Sequence, residues 1–301
     1  MNEEEVIKIA EAGNGYVAIE KSSFVIRKLK RQDKIEEAIN FLLKIANILV
    51  TKEQYTQSVT AVHRAVLLID EKKDNSNIKA TLYQYFEKIT PDFSSPELYQ
   101  LLEKFVELLP DKSKEILLKY VFVSETKENY NQAQIGYAKL ILFHTTTEKE
   151  LKKYIKELSN LLWIWILSIT DKKQMIYNAQ FIVCRCALAF LAQDGNGPKI
   201  SEQFLTYSME NAPKHIPITT PLFVFTKHYI QAVLQNSPAT ATFLRSSYKK
   251  IIQLNKEISK WVSNAYAKHL APEGTARGPN MQNLGALFQN ILGSLNSSNF
   301  E

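Results

Sequence analysis

Cysteine is nearly absent from this chain: 301 residues hold two, Cys184 and Cys186. They form a "CRC" inside an apolar helical run, and residues two apart on a helix point in different directions. That spacing favours neither a disulfide between them nor a metal pair. Both are expected to be reduced core thiols, which suits the cytosol. Glycine and proline are scarce too, at nine and ten. Eight of the glycines fall in turns or in the last 28 residues, only Gly136 lies inside a helical pattern, and no proline precedes Pro91. Alternating apolar and polar stretches are rare, which excludes a substantial sheet. No run reaches the roughly 18–20 apolar residues that span a bilayer. The greasiest, "LLWIWILSI" at 161–169, is flanked by Asn160 and Asp171 and reads as a buried helix. The N-terminal "MNEEEVIKIAEA" is acidic and lacks the basic and apolar regions of a signal peptide. A cytoplasmic protein without direct membrane insertion is expected.

Catalytic patterns are missing as well. His63, His144, His215, His228 and His269 show no pair at metal-ligand spacing. There is no glycine-rich phosphate loop, no zinc-protease helix and no nucleophile elbow. "DGNGPKISEQFL" at 194–205 opens like a calcium loop, with Asp194 and Asn196 at the first and third places. It then puts Pro198 at the fifth, Lys199 where glycine is required and Leu205 where a bidentate Glu is required, so it reads as a helix–helix turn. No catalytic residue, cofactor or metal site is expected.

What the chain does have is a repeat. "KEQYTQSV" at 52–59 returns as "KENYNQAQ" at 127–134, with looser versions "GNGYVAIE" at 13–20 and "QDKIEEAI" at 32–39. In each, a turn-like cluster precedes Tyr16, Ile35, Tyr55 or Tyr130, and Ala18, Ala38, Ser58 or Ala133 follows. The first three anchors stand 19 and 20 residues apart, about one helix plus its turn. The pattern reads as packing: the ring fills a gap between helices near a turn, and the small residue lets a neighbouring backbone come close. Apolar positions recur at helical spacing almost throughout, as in Leu98, Leu101, Leu102, Phe105 and Leu108. The expectation is an all-α protein, an α-solenoid of antiparallel helix pairs resembling tetratricopeptide repeats. It would have about fourteen helices and a C-terminal tail helix. The full tetratricopeptide consensus is not met.

Helices become longer and greasier after residue 145, which divides the chain into halves at 1–144 and 145–270. A linker and tail at 271–301 follow. In the tail, Leu284, Leu287, Phe288, Ile291, Leu292 and Leu295 make one apolar face, and no charged residue occurs from Gly278 to Phe300. A helix this short needs packing, so the segment either caps the solenoid or lies in a partner's groove. The apolar runs Leu161 to Ile169 and Phe181 to Leu191 read as surplus surface for a stable partner. The net charge is +6, with six Lys or Arg and one acid between Lys21 and Lys34, and a second basic run from Arg245 to Lys260. Solvated helix faces or docking to an acidic partner both account for them.

Five stretches resemble one family, the Golgi-to-ER traffic protein of the Get-four type, the thirty-five-kilodalton subunit of the transmembrane-domain recognition complex. They are "GNGYVAIE" against a family "GDYYEAHQ", "IEEAINFLLKIANILVTKEQY", "SSPELYQLLEKF", "KENYNQAQIGY" and the tail "LGALFQNILGSL", and their order is kept over essentially the whole chain. The resemblance implies a non-enzymatic cytosolic adaptor in the delivery of tail-anchored membrane proteins to the ER. It implies a targeting ATPase docked on the N-terminal helices and a ubiquitin-like partner subunit held by the C-terminal half. Lys28 and Arg31 match family positions that are often basic, and Lys21 or Lys34 would extend that face. The tail residues Leu284 to Leu295 are the candidate partner-binding set. The chain departs from the family at Ile19, where a His sits, and at Asn14, where an Asp sits. Two other classes are an RNA-binding solenoid and a scaffold subunit of a larger complex. The first predicts aromatics interleaved with Lys and Arg, whereas Phe24 is the only aromatic within 21–34. The second usually carries a winged-helix-like C-terminal module, for which 270–301 is too short. No nucleic-acid partner is expected.

Overall fold

The recurring turn decides where the first helices begin and end. In a computed structural model, which describes residues 2–69, 76–93 and 95–271, α1 spans Glu3–Glu11, α2 Gly15–Arg31, α3 Ile35–Thr51 and α4 Tyr55–Val66. Between α3 and α4, Glu53 takes the left-handed conformation at φ 56°. Its N–H donates to the Val50 carbonyl at 3.0 Å and the Gln54 N–H to the Leu49 carbonyl at 2.9 Å. That bond pair is the Schellman closure of a helix C-terminus, which satisfies two orphan carbonyls at once. The same pair forms around Gly13, Asp33, Glu128 and Asn236, each at positive φ. Only one of those five positions is glycine, the usual resident. Ile35, Tyr55 and Tyr130 are the first residues of their helices.

The small residue of each repeat is buried to completion: Ala18, Ala38, Ser58 and Ala133 are all 0 % exposed. Ser58 shows what the space is for. Its Oγ donates to the Ala46 carbonyl of α3 at 2.9 Å and sits 2.8 Å from the Tyr85 hydroxyl. The ring of the repeat behaves less uniformly. Tyr55 packs on Phe93 with centroids 4.5 Å apart, whereas Tyr16 is 73 % exposed and fills no gap.

The remaining helices are α5 (Ser76–Glu87), α6 (Pro96–Leu108), α7 (Ser113–Thr126), α8 (Tyr130–Phe143), α9 (Glu148–Leu167) and α10 (Lys172–Leu191). They continue with α11 (Gly197–Glu210), α12 (Pro221–Leu234), α13 (Pro238–Ser247), α14 (Lys249–Gln253) and α15 (Lys256–His269). Among the described residues these fifteen helices and one 3-10 turn, Pro110–Lys112, are the only regular elements, and there is no strand. The all-α solenoid read from the periodicity is what forms. One more helix appears than expected, because α13 and α14 are separated by a break at Tyr248, which leaves the helical region with ψ 15°.

The chain divides into two compact units, residues 1–136 and 137–301, the division falling within α8. In the N-terminal unit α1 packs on α2 and α3, α2 on α3 and α4, α3 on α4 and α5, α4 on α6, and α6 on α7. One apolar cluster runs through it from Val6 to Val123. The C-terminal unit is built around α10, which touches α9, α11, α12 and α15. A helix enclosed on all sides is apolar all round, and every residue from Phe181 to Ala192 is buried. By length and composition α10 would cross a bilayer, but 67 % of its apolar window lies inside this unit. The run Phe181–Leu191 is therefore core, not the surplus surface expected of it. Of the other run, only Ile164 and Leu167 are strongly exposed, at 56 % and 46 %.

Encirclement also traps a charge. Arg185 is 5 % exposed, and its Nε and Nη2 have no hydrogen-bond partner. Burial lowers its pKa, with the fields of Cys186 and Glu257 acting against that shift. Burial likewise raises the Cys184 thiol to about 12, so this cysteine is an inert core residue. A buried guanidinium with two nitrogens unpaired costs the fold stability, which the field of Glu257 offsets only in part. Arg185→Met is expected to raise the unfolding free energy by about 1–3 kcal/mol. A lower urea midpoint in that variant would show instead that the guanidinium contributes stability.

Candidate protein-docking site

Helix α2 buries Ala18, Ile19, Ser22, Val25 and Leu29 against its neighbours. Its other face carries Tyr16, Glu20, Phe24, Arg27, Lys28 and Arg31, all exposed. Two large aromatics on that face stand in solvent, Tyr16 at 73 % and Phe24 at 57 % exposed, as Phe122, Phe143, Tyr177 and Phe243 do elsewhere. The Arg27 guanidinium lies 5.2 Å from the centroid of the Phe24 ring, a cation–π contact that holds both side chains on the surface. Lys28 and Arg31 are three apart and share one stripe. They stand in the last turn, where the helix dipole favours positive charge. Among the described residues, neither forms an ion pair.

The other two predicted members behave differently. Lys21 lies seven residues before Lys28 on the same side of α2 and is half-buried. Lys34 caps the start of α3, and its ammonium rests on Glu37 at 2.9 Å. Both side chains of that pair are about half exposed, at 49 % and 54 %, so it holds the charge only weakly. Ile19, where the chain departs from the family pattern, is 7 % exposed and belongs to the core. Ile19 therefore adds no exposed side chain to this face, whereas Asn14, the other departure, is exposed. Tyr16, Phe24 and Arg27 were not picked out by the sequence as site residues, although their spacing of eight and then three puts them on one helical face.

Two long-range contacts hold this face in place. Arg64 of α4 donates from Nη1 to the Ile19 carbonyl at 2.8 Å and to Ser23 Oγ at 3.1 Å, tying α2 to α4. At the start of α2, Gln54 grips the preceding turn. Its Oε1 accepts from the Gly15 N–H at 2.8 Å, and its Nε2 donates to the Gly13 carbonyl. Gly15 has no room for a side chain, since a Cβ there would lie 2.0 Å from Gln54 Oε1 and 2.9 Å from Leu49 Cδ2. Around this clamp opens a cleft of about 500 Å³, walled by Tyr16, Glu53, Gln54, Tyr55, Gln57 and Asp92 among others.

In the C-terminal unit, α15 ends against the turn that follows α10. Lys268 pairs with Asp194 at 3.1 Å, and His269 Nε2 lies 2.9 Å from the Leu191 carbonyl. Burial lowers the His269 pKa below its ordinary 6.5, outweighing the backbone carbonyls that favour the cation. The folded state thus prefers the neutral ring. Its contribution to stability is complete above the unfolded value near 6.5 and is lost as pH falls through the lower folded value. A fall in unfolding midpoint from pH 7 toward pH 5, reduced in His269→Gln, is the expected result. The predicted partner-binding residues Leu284, Leu287, Phe288, Ile291, Leu292 and Leu295 lie outside the described residues. No cluster of His, Cys, Asp and Glu suited to a metal occurs among the described residues.

No protein-family model matches the chain. No curated protein matches it in sequence either. Among solved structures, a crystal structure of Get4 from "C. therm." aligns with 97 % of this chain and 95 % of its own, at a TM-score of 0.53 and 13 % identity. At that identity the likeness is one of fold, and it extends over both units.

Proposed function

We propose that this protein is a non-enzymatic cytoplasmic adaptor in the delivery of tail-anchored membrane proteins to the ER. In this reading residues 1–144 dock a targeting ATPase through the exposed face of α2. Residues 145–270, with the tail at 271–301, hold a ubiquitin-like partner subunit. The observation that carries the reading is the α2 face, where two exposed aromatics and three exposed basic side chains stand on one rigid helix. Its position coincides with the stretch whose sequence resembles the Get-four family, and the Get4-like fold over the whole chain supports the same assignment.

Tagged protein recovered from a cell extract is expected to bring down the ATPase and the ubiquitin-like subunit as stable companions. Phe24 exposed beside Arg27 also favours a second reading, single-stranded RNA stacked on α2. That reading predicts nuclease-sensitive companions and binding that collapses steeply with salt.

A further inference from the structure

The cleft at the turns and the basic face of α2 meet at one residue, Tyr16, which belongs to both. We propose that the cleft receives a lysine or arginine side chain of the same partner that docks on α2. This deepens the docking reading and rests on it for the partner, though not for the chemistry of the cleft.

The lining decides the charge. Glu53 and Asp92 stand in the cleft wall, both exposed, and among the described residues no Lys, Arg or His lines it. Its volume, about 500 Å³, is ample for a guanidinium head and its stem. The walls are already rigid. Both polar ends of Gln54 are committed to Gly13 and Gly15, Glu53 is held by the closure of α3, and the Tyr55 ring is packed on Phe93. Tyr16 and Tyr55 add aromatic faces that attract a cation. Asp92 Oδ2 accepts a long 3.4 Å bond from the Thr90 hydroxyl. The N-terminal ends of α2 and α4 also border the cleft, and their partial positive charge offsets some of the carboxylate field. The site is therefore weak on its own and works as one part of a larger contact.

Its use is orientation. From Tyr16 to Arg31 the helix rises roughly 22 Å, at about 1.5 Å per residue. A partner that offers acids to Lys28 and Arg31 must offer a base at the opposite end. Docking the other way round would bring like charges together at both ends.

The direct test titrates the full chain with Nα-acetyl-arginine amide, and with Nα-acetyl-glutamine amide as a neutral probe, while backbone amide NMR signals are followed. The arginine probe is expected to shift the Gly13, Gly15, Gln54 and Gln57 signals saturably, with Kd on the order of millimolar. The neutral probe and the Glu53→Gln/Asp92→Asn variant should show no saturable shift. Equal responses to both probes, or none, would overturn the proposal. The second arm measures ATPase binding, which Glu53→Gln/Asp92→Asn should weaken about tenfold, since both acids are exposed and removable without unfolding. Unchanged binding in that variant, with Lys28→Glu/Arg31→Glu still disruptive, removes the cleft from the interface and leaves the docking reading standing. If the unmutated chain does not bind the ATPase, the docking reading falls, and the titration alone upholds or rejects the cationic site.

Discussion

Exchanging Lys28 and Arg31 together for Glu is expected to weaken binding of the targeting ATPase on the order of a hundredfold at low ionic strength. The two side chains are exposed, three residues apart and on one stripe of α2. Rim charges of this kind act mainly on the association rate, and reversing them replaces attraction by repulsion. Residual binding should accordingly lose most of its salt dependence. Phe24→Ala should act differently, raising the dissociation rate with little change in association, because it removes contact area and not charge. Stability should fall by no more than about 1 kcal/mol, the effect of placing acids in the last turn of a helix. Stopped-flow association at two salt concentrations reads all of this. Unaltered association in the double variant would place the ATPase, if it binds, on another face.

Changing Leu287, Phe288 and Ile291 to Asp is expected to abolish stable binding of the ubiquitin-like subunit and to leave the unfolding midpoint of the isolated chain in place. Burying a large apolar side chain contributes about 1.5–3 kcal/mol. The six on this face would contribute on the order of 10 kcal/mol gross, much of it offset by ordering. Losing three of them exceeds the margin of an ordinary complex. The apolar run from Phe181 to Leu191 is used up inside the C-terminal unit and supplies no partner surface. If the tail caps the fold instead, the midpoint falls and affinity holds. Measuring both quantities on the one variant separates these outcomes.

Helix positions were legible because a buried face repeats with the helical period, and that period is strong in α3, α4, α6 and α9. The turns were legible as turns but not by type. Their sequence marker is glycine, and here Asp33, Glu53, Glu128 and Asn236 take its place at positive φ. Periodicity says that a face is covered without saying by what. The α10 run therefore read as surplus surface, when four other helices enclose it. At the candidate site, Lys28 and Arg31 could be found by spacing, while the pairing of Lys34 with Glu37 needed coordinates. The clamp from Gln54 to Gly15 joins residues 39 apart in sequence, and no local pattern announces it. Tyr16 and Tyr55 occupy the same place in the repeat. One is exposed and the other packs on Phe93, because only the second helix has that ring beside its first turn.

The central claim is that one chain holds two different partners on separate surfaces. Mixing the purified chain, the targeting ATPase and the ubiquitin-like subunit, and weighing the products by light scattering during size-exclusion chromatography, tests it most directly. The account predicts a ternary complex, from which Lys28→Glu/Arg31→Glu removes the ATPase alone and the tail variant removes the ubiquitin-like subunit alone. Binding of only one partner at a time, or of neither, would contradict it.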